Sequence, residues 1–371
     1  MIKTEKSHLL IEAASHPGMT GKQNEDRYGV TSLVASPEDN TPSVLAVLCD
    51  GIGGHRAGEV AAQMGVSIIT ENVANSDARK PLKTLESAVQ QATEAIYEAS
   101  QTDQGRSGMG ATCACAWVIG DRLYTANLGD SRIYLLREGH LLQLTTDHTW
   151  IQEALDAGII ADSDRESHPN AHVIRRYLGS KKPPHLDFRL WYFEGETDAE
   201  ALDNQGLKLR VGDILLICSD GLTDLVSDEE ILNMITGNPL ADIPGLLIDL
   251  ANKRGGHDNI TLILMEVPPK FITKPVRSKK RRWLTGCLVA LFFTSLLITA
   301  VLFGLRWWGD RFDAFLPETT PMTLTLPPEN TASTALPPTE TPLVTDTPTP
   351  LPGGNTPQPS LTPWPTNTTA P

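Results

Sequence analysis

LAVLCDG, residues 45–51, decides how this chain is read: an apolar run of strand character that ends on an aspartate and a glycine. Three further stretches repeat the device. LYTANLGDS (123–131) delivers Asp130, DILLICSDG (213–221) delivers Asp220, and DNITLILMEV (258–267) opens on Asp258. One strand followed by Asp-Gly is an ordinary turn, because both residues favour turn backbone angles. Four in one chain predict something more specific: carboxylates carried at sheet ends can converge on hard divalent cations, which prefer oxygen ligands.

The chain has 371 residues, 40% hydrophobic and 20% charged, enough for one domain of about 250 residues with appendages. Its formal net charge of -14 excludes a general nucleic-acid binder, which needs clustered Lys and Arg to release counterions. An acidic surface also repels phosphate unless bound cations reverse the local field, so a metal site and a phosphorylated substrate fit together. Cys49, Cys113, Cys115, Cys218 and Cys287 form no CxxC pair and lie in apolar runs. They read as reduced, structural thiols.

MIKTEKSHLLIEAA carries charge throughout and holds no secretory signal pattern. Strand and helix patterns then mingle from about Leu9 to Val267. The IGDR and REGH turns separate successive strands at hairpin spacing, which predicts antiparallel sheet. Two helices are expected after Asp50, one with Val60, Met64 and Ile68 on a face, the next with Leu85, Val89, Ala92, Ile96 and Ala99. A polar, irregular insertion from about Asp156 to Lys182 is longer than a simple connection and reads as a binding lid.

After Val267 the character changes. Residues 268–283 form a basic linker with Lys270, Lys274, Arg277, Lys279, Lys280, Arg281 and Arg282 and no acid. Leu284 to Leu305 is uncharged and apolar, long enough at a rise of about 1.5 Å per residue to cross a hydrocarbon core of about 30 Å. The basic side is expected to stay cytoplasmic, making a single-pass protein with its N-terminal domain inside and its C-terminus outside. Residues 306–371, dominated by proline and threonine, are expected to be a disordered extracytoplasmic tail.

Seven stretches fall in order: GMTGKQNEDRYG (18–29), AVLCDGIGGHRAGEVAA (46–62), GMGATCACA (108–116), ANLGDSRIYLLREGH (126–140), QLTTDHTW (143–150), LLICSDGLTD (215–224) and GGHDNITLILME (255–266). On these residues the region 1–267 resembles the metal-dependent type 2C serine/threonine protein phosphatases in their bacterial form. The resemblance implies an α+β fold, a four-layer α-β-β-α sandwich of two antiparallel sheets flanked by helices. It implies two Mn²⁺ or Mg²⁺ ions bridged by Asp50, with the Gly51 carbonyl on one and Asp220 and Asp258 on the other. A third ion would lie between Asp130 and Asp220. Hydrolysis would then use a water activated by the metal pair, about 3.5–4 Å apart, with no protein nucleophile.

Glu25 and Asp26 correspond to the acidic pair that holds the metal waters. Two positions depart from the pattern. Gly21 stands where an arginine usually clasps the substrate phosphate, leaving Lys22 beside it as a point charge without the bidentate fork. Ile52 replaces the histidine that eukaryotic relatives carry after the metal-binding Asp-Gly, so the general acid is open. The Gly-rich GIGGHRAG lacks the Lys-Ser/Thr ending of a P-loop and reads as a tight turn presenting the Gly51 carbonyl. The resulting expectation is a phosphatase acting on phosphoserine and phosphothreonine of proteins at the cytoplasmic membrane face, with substrates of membrane Ser/Thr kinases as partners. The alternative is a catalytically weak phosphoprotein-binding membrane receptor on the same fold, which Gly21 favours and the full aspartate set opposes.

Overall fold

The computed structural model describes residues 1–35, 40–53, 57–165, 168–269, 294 and 296–302. Contacts divide the chain into two units, Met1–Arg281 and Arg282–Pro371. In the first unit the strands are β1 (Ile2–Lys3), β2 (Leu10–His16), β3 (Arg27–Val34), β4 (Pro42–Cys49), β5 (Gly51–Ile52), β6 (Gly110–Ala111), β7 (Cys113–Ile119), β8 (Arg122–Leu128), β9 (Arg132–Arg137), β10 (His140–Gln143), β11 (Leu207–Lys208), β12 (Ile214–Cys218) and β13 (Ile260–Glu266). The helices are α1 (Ala57–Ala74), α2 (Pro81–Thr102), α3 (Trp150–Asp156), α4 (Asp198–Asp203), α5 (Asp220–Thr223), α6 (Asp228–Gly237) and α7 (Ile243–Lys253). The strands build a six-stranded sheet, β1-β3-β4-β7-β8-β11, and a five-stranded sheet, β10-β9-β12-β13-β2, with a short β5-β6 pair beside them. The pairings within both large sheets are antiparallel.

Period-two alternation explains the layering. On β4, Val44, Ala46 and Leu48 pack with Ile217 of β12 and Ile263 of β13 between the sheets. Leu45, Val47 and Cys49 face the other way, into a cluster with α1 and α2. β12 alternates likewise: Leu215 and Ile217 join the inter-sheet cluster, whereas Leu216 and Cys218 pack with Ile231 of α6 and Leu247 of α7. Helices therefore cover the outer face of each sheet, as the α+β sandwich expectation requires. Both faces of the central strands are buried, so their sequences read as unbroken apolar runs. Trp117 is fully buried in the six-stranded sheet and its Nε1 donates to Ser43 Oγ at 2.6 Å.

Both expected hairpins form. Ile119 pairs with Arg122 across Gly120, at φ 60°. Arg137 pairs with His140 across Glu138 and Gly139, at φ 52° and 81°, the backbone of a turn that matches strand twist. The expected face of α2 is the buried one, with Ala88 added and Ala99 only half-buried. The face of α1 is offset: Ala61, Ala62, Gly65, Val66, Ile69 and Val73 are buried, whereas Val60, Met64 and Ile68 only flank the core. Small residues set that face because the helix lies close to its neighbours; a Cβ on Gly65 would stand 3.0 Å from Cys49 Sγ.

Cys49, Cys113, Cys115 and Cys218 are buried free thiols, as expected. In the second unit, Thr294 and residues 296–302 are helical, with Leu296, Leu297, Ile298, Val301 and Leu302 exposed. No helix among the described residues is long and apolar enough to cross a membrane. Most of the expected span 284–305, nearly all of the basic linker 268–283 and the whole tail 306–371 lie outside the described residues.

Candidate metal centre

Asp50 follows β4 and Asp130 follows β8, both strands of the six-stranded sheet, while Asp220 follows β12 and Asp258 precedes β13 in the five-stranded sheet. Antiparallel pairing brings these four ends together. Arg27 of β3 pairs with Cys49 of β4, so the residues just beyond, Asp26 and Asp50, are neighbours across the same sheet end. The Asp50 and Asp220 carboxyl groups lie close enough across the two sheets for each to shift the other's titration. Asp258 and Asp26 lie close enough for their charges to act on this pair.

Backbone contacts fix these positions. Gly51 and Gly58 touch: a Cβ on Gly51 would stand 2.4 Å from the Gly58 carbonyl carbon, and one on Gly58 would stand 2.8 Å from Glu25 Oε2. Only glycine permits this approach, which seats the Gly51 turn against the start of α1. Gly221 plays the same part for the second sheet, since its Cβ would stand 2.1 Å from the Asn259 carbonyl oxygen. That contact holds Asp220 beside Asp258. His55, in the same Gly-rich stretch, lies outside the described residues.

Hydrogen bonds complete the frame. Asp50 N–H donates to Thr112 Oγ1 at 2.8 Å, and Thr112 Oγ1 lies 2.8 Å from Ser131 Oγ, so one threonine links the Asp50 and Asp130 turns. Ser219 Oγ donates to Asp26 at 2.8 Å while accepting Thr261 N–H at 3.0 Å. Asn259 receives Glu25 N–H on Oδ1 at 2.7 Å and donates Nδ2 to the carbonyls of Pro17 and Gln23. It thereby ties the loop bearing Lys22, Glu25 and Asp26 to the start of β13. Buried His148 accepts Gly129 N–H on Nδ1 and donates from Nε2 to Asp187, itself clasped by Arg189. That network braces the turn carrying Asp130.

The electrostatics are unfavourable as they stand. Burial pushes the Asp26 carboxyl up to about 7, with the charges of Asp220 and Asp258 adding to it and hydrogen bonds from Thr261 and Ser219 opposing. Burial raises Asp220 to about 6, helped by Asp224 and Asp258. Asp50 and Asp130 are held well above the carboxylate range, first by burial and then by neighbouring aspartates. One buried oxygen on each of Asp26, Asp130 and Asp220 has no hydrogen-bond partner. Converging carboxylates with orphaned oxygens fit hard divalent cations, which take oxygen ligands.

Over this end of the sandwich opens a cleft of about 830 Å³, lined by Asp130, Asp147, Asp220, Asp224 and Asp258 against Lys22, Arg132 and Arg165. Arg132 is spent on Asp147, at 2.7 Å. Lys22 Nζ stands 3.8 Å from Asp258 Oδ2, both half-exposed, a pair that holds it only weakly. From the insertion, Arg165, Ala171 and His172 reach the cleft wall. The structure thus brings together Lys22, Glu25, Asp26, Asp50, Gly51, Asp130, Asp220 and Asp258. Sequence reading missed Thr112, Ser131 and Ser219, whose types are common in turns and strands, and Asp224, signalled only by its place one helical turn after Asp220. His148 is a buried brace, and His168 stacks on Trp150 with ring centroids 4.6 Å apart.

The Protein phosphatase 2C family model matches residues 19–154. The chain is 36% identical over 260 residues to the serine/threonine protein phosphatase PstP of Mycobacterium tuberculosis, a match covering 70% of this chain and 45% of that one. It therefore spans less than half the length of that relative. It is 34% identical over 263 residues to the serine/threonine phosphatase stp of Listeria monocytogenes, covering 70% of this chain and 96% of the relative. Among solved structures, the catalytic domain of PstP in complex with two manganese ions superposes with a TM-score of 0.56 at 32% identity, covering 70% of this chain and 97% of that one.

Proposed function

This chain belongs to the protein phosphatase 2C family, and from that membership we propose that it hydrolyses phosphoserine and phosphothreonine on proteins at a binuclear Mn²⁺ or Mg²⁺ centre. The observation that carries the reading is the meeting of Asp50 and Asp220 across two sheets, with Asp258 beside them and orphaned oxygens on Asp26, Asp130 and Asp220. Asp50 and the Gly51 carbonyl would hold one ion, and Asp50, Asp220 and Asp258 the other. Asp130 with Asp220 would hold a third. Such ions, when bound, supply Lewis acidity that activates water for in-line attack on phosphorus and offsets charge on the phosphoryl oxygens.

The chain's own residues do the rest. Asp26, pinned by Ser219, and Glu25, pinned through its backbone by Asn259, orient water at the centre. Lys22 exchanges its weak contact with Asp258 for a phosphoryl oxygen, as a point charge in place of the guanidinium that Gly21 cannot supply. The cleft admits a phosphorylated side chain and excludes a phosphate that lacks cation partners, since its aspartates outnumber its lysine and arginines.

Residues 284–305 are proposed as a single membrane span, supported by their uncharged run and by the basic residues that precede it. That places the phosphatase domain at the cytoplasmic face, among the phosphorylated products of membrane Ser/Thr kinases, at raised effective concentration. Full-length protein in detergent, given a phosphothreonine peptide and Mn²⁺, should release phosphate, and both EDTA and Asp220→Asn should abolish the release. Peptide binding without turnover would replace this reading with that of a phosphoprotein receptor. Recovery of the full-length protein in the salt-washed soluble fraction of cells would remove the span.

A further inference from the structure

The end of the sandwich opposite the metal centre carries a different surface. β3 leaves the centre at Arg27 and ends at Val34, where β1 pairs with it, and α1 leaves the centre at the Gly51 and Gly58 contact and ends at Ala74. The Met1 ammonium donates to the carbonyls of Ala74 and Ser76 at 2.7 and 2.9 Å, so β1 and the turn between α1 and α2 share this end. β13 starts beside Asp258 and runs the same way, pairing Glu266 with Leu10. Val267 then donates its N–H to the Asp213 carbonyl and accepts Gly212 N–H, both at 2.9 Å. The chain therefore leaves the domain at the end far from the aspartates.

Two kinds of side chain gather there. Exposed Lys80 and Lys83, at the start of α2, line a cavity of about 510 Å³ together with Arg79. Its one acid, Asp77, is taken by Arg79 at 3.4 Å, which leaves both lysines without an ion pair among the described residues. Ile2, Leu10 and Val211 belong to the same end and are 45%, 50% and 58% exposed. Free cations beside bared apolar side chains, in a chain of net charge -14, match a surface that is anionic at its face and apolar beneath.

We propose that this end of the domain rests on the anionic lipid headgroups of the cytoplasmic leaflet, with Lys80 and Lys83 against phosphates and Ile2, Leu10 and Val211 dipping between them. The proposal rests on the reading of residues 284–305 as a span and adds how the domain is held beside it. Residues 268–283, as a flexible chain, cover about 20–24 Å, so the exit at Val267 stays near the bilayer. Their seven bases and absence of acid draw them to the same headgroups. The metal cleft, at the other end, then opens toward the cytoplasm. Phosphorylated segments lying in the headgroup layer are out of its reach, and those carried clear of the membrane are within it.

The test uses full-length protein reconstituted in vesicles of mixed phosphatidylglycerol and phosphatidylcholine, and in vesicles of phosphatidylcholine alone. Acetylation by an amine-reactive ester, read lysine by lysine by mass spectrometry, should be about tenfold slower at Lys80 and Lys83 in the anionic vesicles, and high salt should restore it. Lys22, in the cleft, should react alike in both. A polarity-sensitive dye on Val211→Cys should shift to the blue in the anionic vesicles and lose that shift when Lys80→Glu and Lys83→Glu are added. The doubly charge-reversed protein should keep wild-type turnover of a soluble phosphothreonine peptide, which shows that it folds. Reactivity of Lys80 and Lys83 that is equal in the two lipids overturns the docking and leaves the span standing, whether it is high in both or low in both, as cover by a second copy would make it. Release of the protein from both kinds of vesicle by alkaline carbonate removes the span, and this orientation with it.

Discussion

The side-chain amide of Asn259 receives the backbone N–H of Glu25 at 2.7 Å, joining residues 234 positions apart. The same amide donates to the carbonyls of Pro17 and Gln23. Asn259→Ala removes all three of these hydrogen bonds, and the expected cost is about 1–3 kcal/mol in urea unfolding. Release of the loop moves Asp26 and Lys22, so kcat on a phosphothreonine peptide should fall on the order of tenfold or more. A variant with wild-type kcat would show that the loop positions nothing.

The pH dependence of stability should invert with metal. Asp26 and Asp220 have folded values of about 7 and about 6, above the unfolded carboxylate. Groups raised in this way stabilise the fold when protonated, and that contribution is lost as pH rises through their folded values. Metal-free protein should therefore lose urea resistance between about pH 4 and about pH 7, whereas Mn²⁺ should restore it increasingly over the same interval. Parallel curves with and without Mn²⁺ would contradict the placement of cations among these carboxyl groups.

Gly221→Ala should be harsher than its size suggests. The added methyl would meet the Asn259 carbonyl oxygen at 2.1 Å, backbone against backbone, so the β12 and β13 ends must part. Overpacking of this kind costs about 1–3 kcal/mol. Calorimetric Mn²⁺ affinity should weaken alongside the unfolding midpoint, whereas Gly237→Ala, where a Cβ meets nothing, should alter neither.

His148 offers a test of the brace behind Asp130. Removing the imidazole in His148→Ala strands the buried Gly129 N–H and takes one hydrogen bond from the buried Asp187 carboxylate, for an expected loss of about 1–3 kcal/mol. His148→Gln can replace one of the two hydrogen bonds and should recover part of the stability, measured by urea denaturation.

Much of this was legible in sequence because the informative residues sit where patterns change. Asp50, Asp130, Asp220 and Asp258 each interrupt an apolar run, and an abrupt charge beside a buried strand is visible without coordinates. The hairpins at Gly120 and Gly139 were legible for the same reason, since glycine marks positive φ. The buried face of α1 was not: it is made of Ala61, Ala62 and Gly65, which carry little hydrophobic signal, while bulkier Val60 and Met64 flank it. Braces such as Thr112 and Ser219 also escaped, because a hydroxyl acquires a role only from a partner distant in the chain. Pairing of Asp224 with His172, 52 positions apart, belongs to the same class.

A ligand set divided between Asp50 and Asp130 on one sheet and Asp220 and Asp258 on the other makes ion spacing a function of how the sheets shear. Sliding one over the other by a fraction of a strand repeat would change both interatomic separations and affinity, with no ligand substituted. Repacking at Leu48 or Ile217, in the apolar seam between the layers, should consequently tune turnover from a distance and make heat tolerance and cation avidity change together.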